Sequence, residues 1–319
     1  MKVIEPKGLK PKILQPHSMV CIIEFTLENL KSHRELNFLL ASDLHMDHPK
    51  CNRELLKAHF DECVEKNGYI LLNGDIFCVM QGRNDKRHNK GSVRPENMRD
   101  NYFDSVVDTA VEFLLPYAKH ILFIGAGNHE TSIYKRVEID LLRQLTDKIY
   151  YKTGHRIILG EYHGWIYIKC VLAYGKSRRE QTTLSYTIYH NHGTGGEAPV
   201  TGGSIEDNRK QTQVEGADAI WMGHNHNKYS RQVAVHYFDR NINSLKPKFR
   251  IIEMIRTGTY KQEYTGHGFH IETNKAPKPL GGIWLNLKPV VSGHKGLRFL
   301  APAITKTWHQ EIEIDNSYE

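Results

Sequence analysis

The sequence predicts an α/β fold, on two observations. Three short apolar runs in the first half each break into a polar motif, and stretches with helical spacing separate them. After Ile157 the texture changes to strands.

The first run, Asn37–Ser42, ends in Asp43-Leu44-His45. Leu56, Phe60, Cys63 and Val64 then recur at helical spacing, which predicts a helix before the second run, Tyr69–Asn73, and its ending Gly74-Asp75. Tyr102, Phe103, Val106, Val107, Ala110, Val111 and Leu114 form the next apolar face, and Pro116 stops that helix. The third run, His120–Gly125, breaks into Gly127-Asn128-His129-Glu130, and a further helix should follow with Ile133, Val137, Leu141 and Leu145 on one face. Arg156–Leu159 and Trp165–Leu172 flank a Gly-containing turn and read as a hairpin. Tyr186–Tyr189 runs into His190-Asn191-His192-Gly193, and Ala217–Met222 into Gly223-His224-Asn225-His226. Val233–Val235 and Phe249–Ile255 read as further strands, and Met19–Leu27 as an added edge strand.

Strand ends of an open α/β sheet meet at one crevice, so oxygen and nitrogen donors far apart in sequence would converge there. Side chains of an extended segment alternate faces, so Asp43 and His45 should point the same way, as should His224 and His226. Taken singly, each residue fits a bland role: Asp at a strand end is usually a turn former or helix cap, and a lone His is usually a satisfied core or surface group. Their shared placement after strands is what those roles do not explain. Carboxylate, imidazole and amide donors without thiolate suit manganese, iron, zinc or nickel better than a structural zinc site, which favours cysteine.

In this order, Asp43-Leu44-His45, Gly74-Asp75, Gly127-Asn128-His129-Glu130, His192-Gly193 and Gly223-His224-Asn225-His226 resemble the five blocks of the calcineurin-like metallophosphoesterase superfamily. Gly258-Thr259-Tyr260 is similar to a late block. The resemblance implies two packed mixed β-sheets flanked by helices, and two divalent transition-metal ions, manganese first and iron, zinc or nickel as alternatives. Asp43, His45 and His226 would hold one ion, and Asn128, His192 and His224 the other, with Asp75 bridging. A metal-bound hydroxide would attack phosphorus and His129 would give a proton to the leaving oxygen. His192 is preferred to His190 because Gly193 follows it directly, as in the family pattern; His190 is then a residue behind the ligands or facing substrate.

One departure narrows the activity. Phosphoprotein phosphatases of the superfamily continue the second block to Gly-Asp-x-x-Asp-Arg-Gly, whereas this chain reads Gly74-Asp75-Ile76-Phe77-Cys78-Val79-Met80. That disfavours a protein phosphatase and leaves Asp47 and Glu130 as the nearest motif carboxylates to orient His129. The expected activity is a phosphodiesterase or nuclease acting on nucleic acid. The alternatives are a small-molecule phosphatase or cyclic-nucleotide phosphodiesterase and, on the same fold, a non-catalytic interaction module.

The net charge of +7 favours a polyanionic partner such as DNA or RNA. Arg83, Lys86, Arg87, His88, Lys90, Arg94 and Arg99 follow Asp75 closely, in a loop expected either to hold backbone phosphates over the metals or simply to be solvated. The glycines at 193, 195, 196, 202 and 203 mark a segment able to move or to approach a ligand. The five cysteines form no C-x-x-C pair, which points to a reducing cytoplasm. The first residues lack a signal-like apolar core, and runs such as Met19–Ile23 are too short to span a membrane. Residues 35–288 are expected to form one metallophosphoesterase domain, with 1–34 packed on it as an N-terminal extension and 289–319 as a C-terminal one.

Overall fold

The computed structural model describes all residues except 1, 28–34, 80–89, 174–180, 196–200, 240–244, 263, 265–271, 273–274, 293–295, 300–302 and 307–319. In chain order the strands and helices are β1 (Lys12–His17), β2 (Val20–Leu27), β3 (Leu36–Ala41), α1 (Arg53–Glu65), β4 (Tyr69–Asn73), α2 (Tyr102–Leu114), β5 (Ile121–Gly125), α3 (Asn128–Val137) and α4 (Leu141–Thr153). They continue with β6 (Ile158–Leu159), β7 (His163–Ala173), β8 (Gln181–Asn191), α5 (Ser204–Gln213), β9 (Ala219–Met222), β10 (Tyr229–Asp239) and β11 (Lys246–Arg256). The last are β12 (Ile283–Leu287), β13 (Pro289–Ser292), β14 (Gly296–Phe299) and β15 (Ala303–Lys306).

One sheet has the order β15-β12-β3-β4-β5-β6 and the other β1-β2-β7-β8-β9-β11-β10. Strands β3 to β6 are parallel to one another, and β12 joins β3 antiparallel. Parallel strands buried on both faces read as unbroken apolar runs, and alternation divides each run between two cores. From β3, Phe38 and Leu40 meet Phe25, Ile166, Ile188 and Trp221 of the other sheet, while Leu39 and Ala41 meet α1 and α2 through Leu56, Phe60, Val106 and Val107. The two sheets therefore pack face to face, with α1, α2 and α4 covering the outer face of the six-stranded one. Each fully buried Phe or Leu contributes about 1.5–3 kcal/mol.

Three expectations are corrected, and one helix was not expected. The helix after the third motif is two helices, because Glu138 takes a left-handed conformation (φ 59°) that ends α3, and Asp140 then caps α4 by accepting from Arg143 N. The hairpin between Arg156 and Leu172 does not form. Strand β6 pairs with β5 in one sheet and β7 with β2 and β8 in the other, so the chain crosses between sheets after Leu159. Strand β2 is interior rather than an edge, since β1 pairs outside it. Helix α5 has no counterpart in the sequence reading, because it buries little beyond Asp207 and so shows no apolar stripe. Residues 12–27 and 303–306 supply strands to the sheets they flank.

Candidate metal centre

The motifs sit at the carboxyl ends of β3, β4 and β5 in one sheet and of β8 and β9 in the other, where the two sheet rims meet. Asp43 and His45 do face one spot, as expected, but not by strand alternation, and His224 and His226 fall in different groups. Asp43, His45, Asp75, His224 and His226 all lie past their strands in left-handed backbone, with φ of 55°, 46°, 50°, 72° and 59°. Among the described residues only nine non-glycine positions have such a φ, so five of the nine fall on these side chains. Backbone strain of this kind concentrates where the surrounding structure holds side chains for function.

The carboxylates and imidazoles form two adjoining groups. Ligand atoms of Asp43, His45 and His226 lie within 4.8 Å of one another, as do those of Asp75, His192 and His224. In the first group His226 Nε2 is 3.4 Å from both His45 Nε2 and Asp43 Oδ1. In the second, Asn128 Oδ1 is 3.1 Å from His192 Nε2 and 2.7 Å from His224 Nδ1. Asp75, in the second group, also faces His129: Oδ2 is 3.2 Å from His192 Nε2 and 3.7 Å from His129 Nε2, and Oδ1 accepts from the His129 backbone N–H at 3.0 Å.

Backbone carbonyls fix the ring orientations. His192 Nδ1–H donates to the Asn73 carbonyl (2.8 Å) and His224 Nε2–H to the Gly195 carbonyl (2.9 Å), so each ring presents its other nitrogen inward. Two glycines let the loops close. A Cβ on Gly127 would lie 2.1 Å from Asp75 Oδ1, and one on Gly223 would lie 2.7 Å from Asp43 Oδ2.

Three observations fit the site to cations. Asp43 Oδ1 and His45 Nδ1 are buried and find no hydrogen-bond partner among the described residues, a costly state that a nearby positive charge relieves for the carboxylate. The donor set mixes carboxylate, imidazole and amide oxygen, as first-row divalent metals favour. Burial alone would hold His192 neutral, yet the Asp75 and Asp43 carboxylates push its imidazole up to about 10, a measure of how strongly the spot attracts positive charge. Burial also raises Asp75, but His192 and His129 outweigh it and hold its carboxyl well below the usual range. Burial and the neighbouring His129 keep His45 well below the usual imidazole range, the neutral form a ligand needs.

The remaining sequence candidates divide. His129 stands beside the centre, its ring centroid 5.0 Å from that of His45, and its Nδ1–H donates to the Cys78 carbonyl at 2.6 Å. Glu130 accepts from the backbone N–H groups of Asp75, Phe77 and Gly127 and so fastens the second motif to the third. Asp47 accepts from Cys78 N and Val79 N. His190 does not reach the crevice. It is buried between the sheets against Phe123, ring centroids 4.8 Å apart, and burial pushes it down to about 3. Strand β8 ends at Asn191, so only His192 continues past the rim. Arg94 is occupied within the protein, donating to Glu96 Oε1 (2.8 Å) and the His48 carbonyl (3.3 Å). Arg83, Lys86, Arg87 and His88 lie outside the described residues.

Sequence reading missed Arg256. Its buried guanidinium donates to the Gly223 carbonyl, to Asn225 Oδ1, to Asp207 Oδ1 and to Glu206 Oε2, tying the loop of His224 and His226 to α5. Glu206 Oε1 in turn accepts from Thr194 N at 2.8 Å, beside the Gly195 carbonyl that orients His224. The available signal was a charge directly after the apolar pair Met254-Ile255 at the end of a strand-like stretch, where a buried arginine needs carboxylate partners.

No family model matches the chain. No curated protein matches it either. Among solved structures it is similar to the calcineurin-like phosphoesterase YfkN from Bacillus subtilis, with 12% identity over 86% of this chain and 91% of that one and a TM-score of 0.38. It is also similar to a protein described as a candidate 5′-nucleotidase from Staphylococcus aureus, with 10% identity and a TM-score of 0.36; it covers 88% of this chain but spans only 56% of that one. Likenesses this distant carry no argument, so the functional reading rests on the chain's own residues.

Proposed function

We propose that the chain is a phosphoesterase working with two divalent cations, of the calcineurin-like kind its motifs resemble. The observation that carries this reading is the convergence of Asp43, His45, Asp75, Asn128, His192, His224 and His226 from both sheets onto one crevice with His129 at its side. Asp43, His45 and His226 would hold one cation, and Asn128, His192 and His224 the other, with Asp75 reaching both. Bound there, such ions offset phosphate charge and lower the pKa of a water to supply the nucleophile. His129 does the acid's work: with Nδ1–H committed to the Cys78 carbonyl, its Nε2 is the atom left to carry a proton to the leaving oxygen. Manganese is the ion we expect first, since carboxylate and amide oxygens stand beside the imidazoles.

For substrate we propose a nucleic-acid diester, supported by the charge of +7 and by the basic residues after Asp75. A small phosphate ester is the rival. Because Arg94 is engaged by Glu96, the residues to test are Arg83, Lys86 and Arg87. Replacing all three should weaken DNA or RNA binding and flatten its salt dependence, as fewer counterions are released, while a small generic diester is hydrolysed as before. Unchanged affinity and salt slope, measured by fluorescence anisotropy against salt, would move the reading to the small ester. Cytoplasmic location belongs to the same proposal: none of the five cysteines is in a disulfide, as suits a reducing compartment. No helix among the described residues is long and apolar enough to cross a membrane.

A further inference from the structure

The second motif lacks the aspartate that would orient the catalytic histidine, and the structure offers a different support. His129 Nδ1 is held not by a carboxylate but by the backbone carbonyl of Cys78, at 2.6 Å. That peptide belongs to a bend whose next residue, Val79, has φ 42°, a conformation β-branched side chains avoid. Such a bend persists only if something fastens it. The fastening is Asp47: Oδ1 accepts from Cys78 N at 2.5 Å and Oδ2 from Val79 N at 2.7 Å, with Tyr102 Oη donating to Oδ2 at 3.3 Å. Hydrogen bonds from backbone N–H to a carboxylate are among the stronger kinds, and Asp47 is only 2% exposed, so water does not compete for them. Asp47 is anchored through the first motif, whose His45 N and Met46 N donate to the Asp75 and Ile76 carbonyls. Glu130, the other nearby carboxylate, is spent on Asp75, Phe77 and Gly127 N–H groups and holds no part of the His129 ring.

We infer that Asp47 is the positioning residue for His129, acting through the Cys78 carbonyl it holds in place. The inference rests on the phosphoesterase reading for its kinetic consequence, though not for its structural one. Two variants and two readouts test it. In metal-free protein labelled with 15N-histidine, the parent should show a slowly exchanging Nδ1–H resonance that His129→Ala removes, and Asp47→Ala should lose it too. In the metal-loaded enzyme, Asp47→Ala should keep the parent's ion content and slow hydrolysis of an alkyl ester, a poor leaving group, on the order of 10- to 100-fold. A nitrophenyl ester, which needs little protonation, should be affected far less, and Asp47→Ala should add nothing to His129→Ala. If Asp47→Ala does not fold, Asp47→Asn keeps the shape and one acceptor oxygen and is judged on the same readouts. Equal loss on both esters, additivity with His129→Ala, or an unchanged Nδ1–H resonance would overturn the assignment. A parent that hydrolyses neither ester defeats the phosphoesterase reading instead, and the resonance alone then decides for or against Asp47.

Discussion

Asp75→Asn is expected to cost more activity than any other single substitution, roughly 1,000-fold or more. Asp75 is the residue proposed to reach both cations, and its charge is felt by its neighbour: its Oδ2 lies 3.2 Å from His192 Nε2 and its carboxylate raises the His192 imidazole. Asparagine keeps the shape and can still accept from the His129 backbone N–H, but it removes the anion that would be shared by both cations. The several kcal/mol that metal ions contribute to charge stabilisation correspond to about three powers of ten in rate. Elemental analysis should find two ions per chain in the parent and fewer in the variant. A parent that never binds or responds to more than one ion would sink the two-metal reading.

His129→Ala should separate chemistry from ion binding. Its Nδ1 is committed to a carbonyl and its Nε2 is 3.7 Å from Asp75 Oδ2, so on the proposed reading it serves beside the ligands as the proton donor. Both ions should therefore remain while turnover falls roughly 100- to 10,000-fold, the usual worth of positioned acid catalysis. The loss should shrink as the leaving group improves. A loss of the same size on nitrophenyl and alkyl esters would mean that His129 is not the proton donor.

The strands that carry the motifs were legible because burial on both faces writes itself into sequence as unbroken apolar runs, such as Tyr69–Asn73 and Ile121–Gly125. The placement of the candidate ligand residues was legible as polar residues repeated at the ends of such runs. The way they converge was not. Asp43 and His45 do share a face, but not through the alternation of an extended strand: their loops turn through left-handed backbone, a local conformation that non-glycine residues do not announce. His190 and His192 could not be separated by parity, since the outcome depended on β8 ending between them. Arg256 and the Cys78 carbonyl stayed hidden for a common reason. They act through hydrogen bonds between segments remote in sequence, and backbone carbonyls have no residue type to read. The break at Glu138 was missed because Ile133, Val137, Leu141 and Leu145 keep a helical period across it, although Val137 proves to be exposed.

The ligand groups come from both sheets: Asp43, His45, Asp75 and Asn128 from the rim of one, and His192, His224 and His226 from the rim of the other. On the two-cation reading, ions seated there rivet the sandwich across its open seam, so that parting the layers means expelling them. Loading and folding then become one equilibrium. Each ion present at 100 times its dissociation constant would add about 2.7 kcal/mol to unfolding. A chelator would act on this protein as a mild denaturant, and its melting temperature would report the free metal around it.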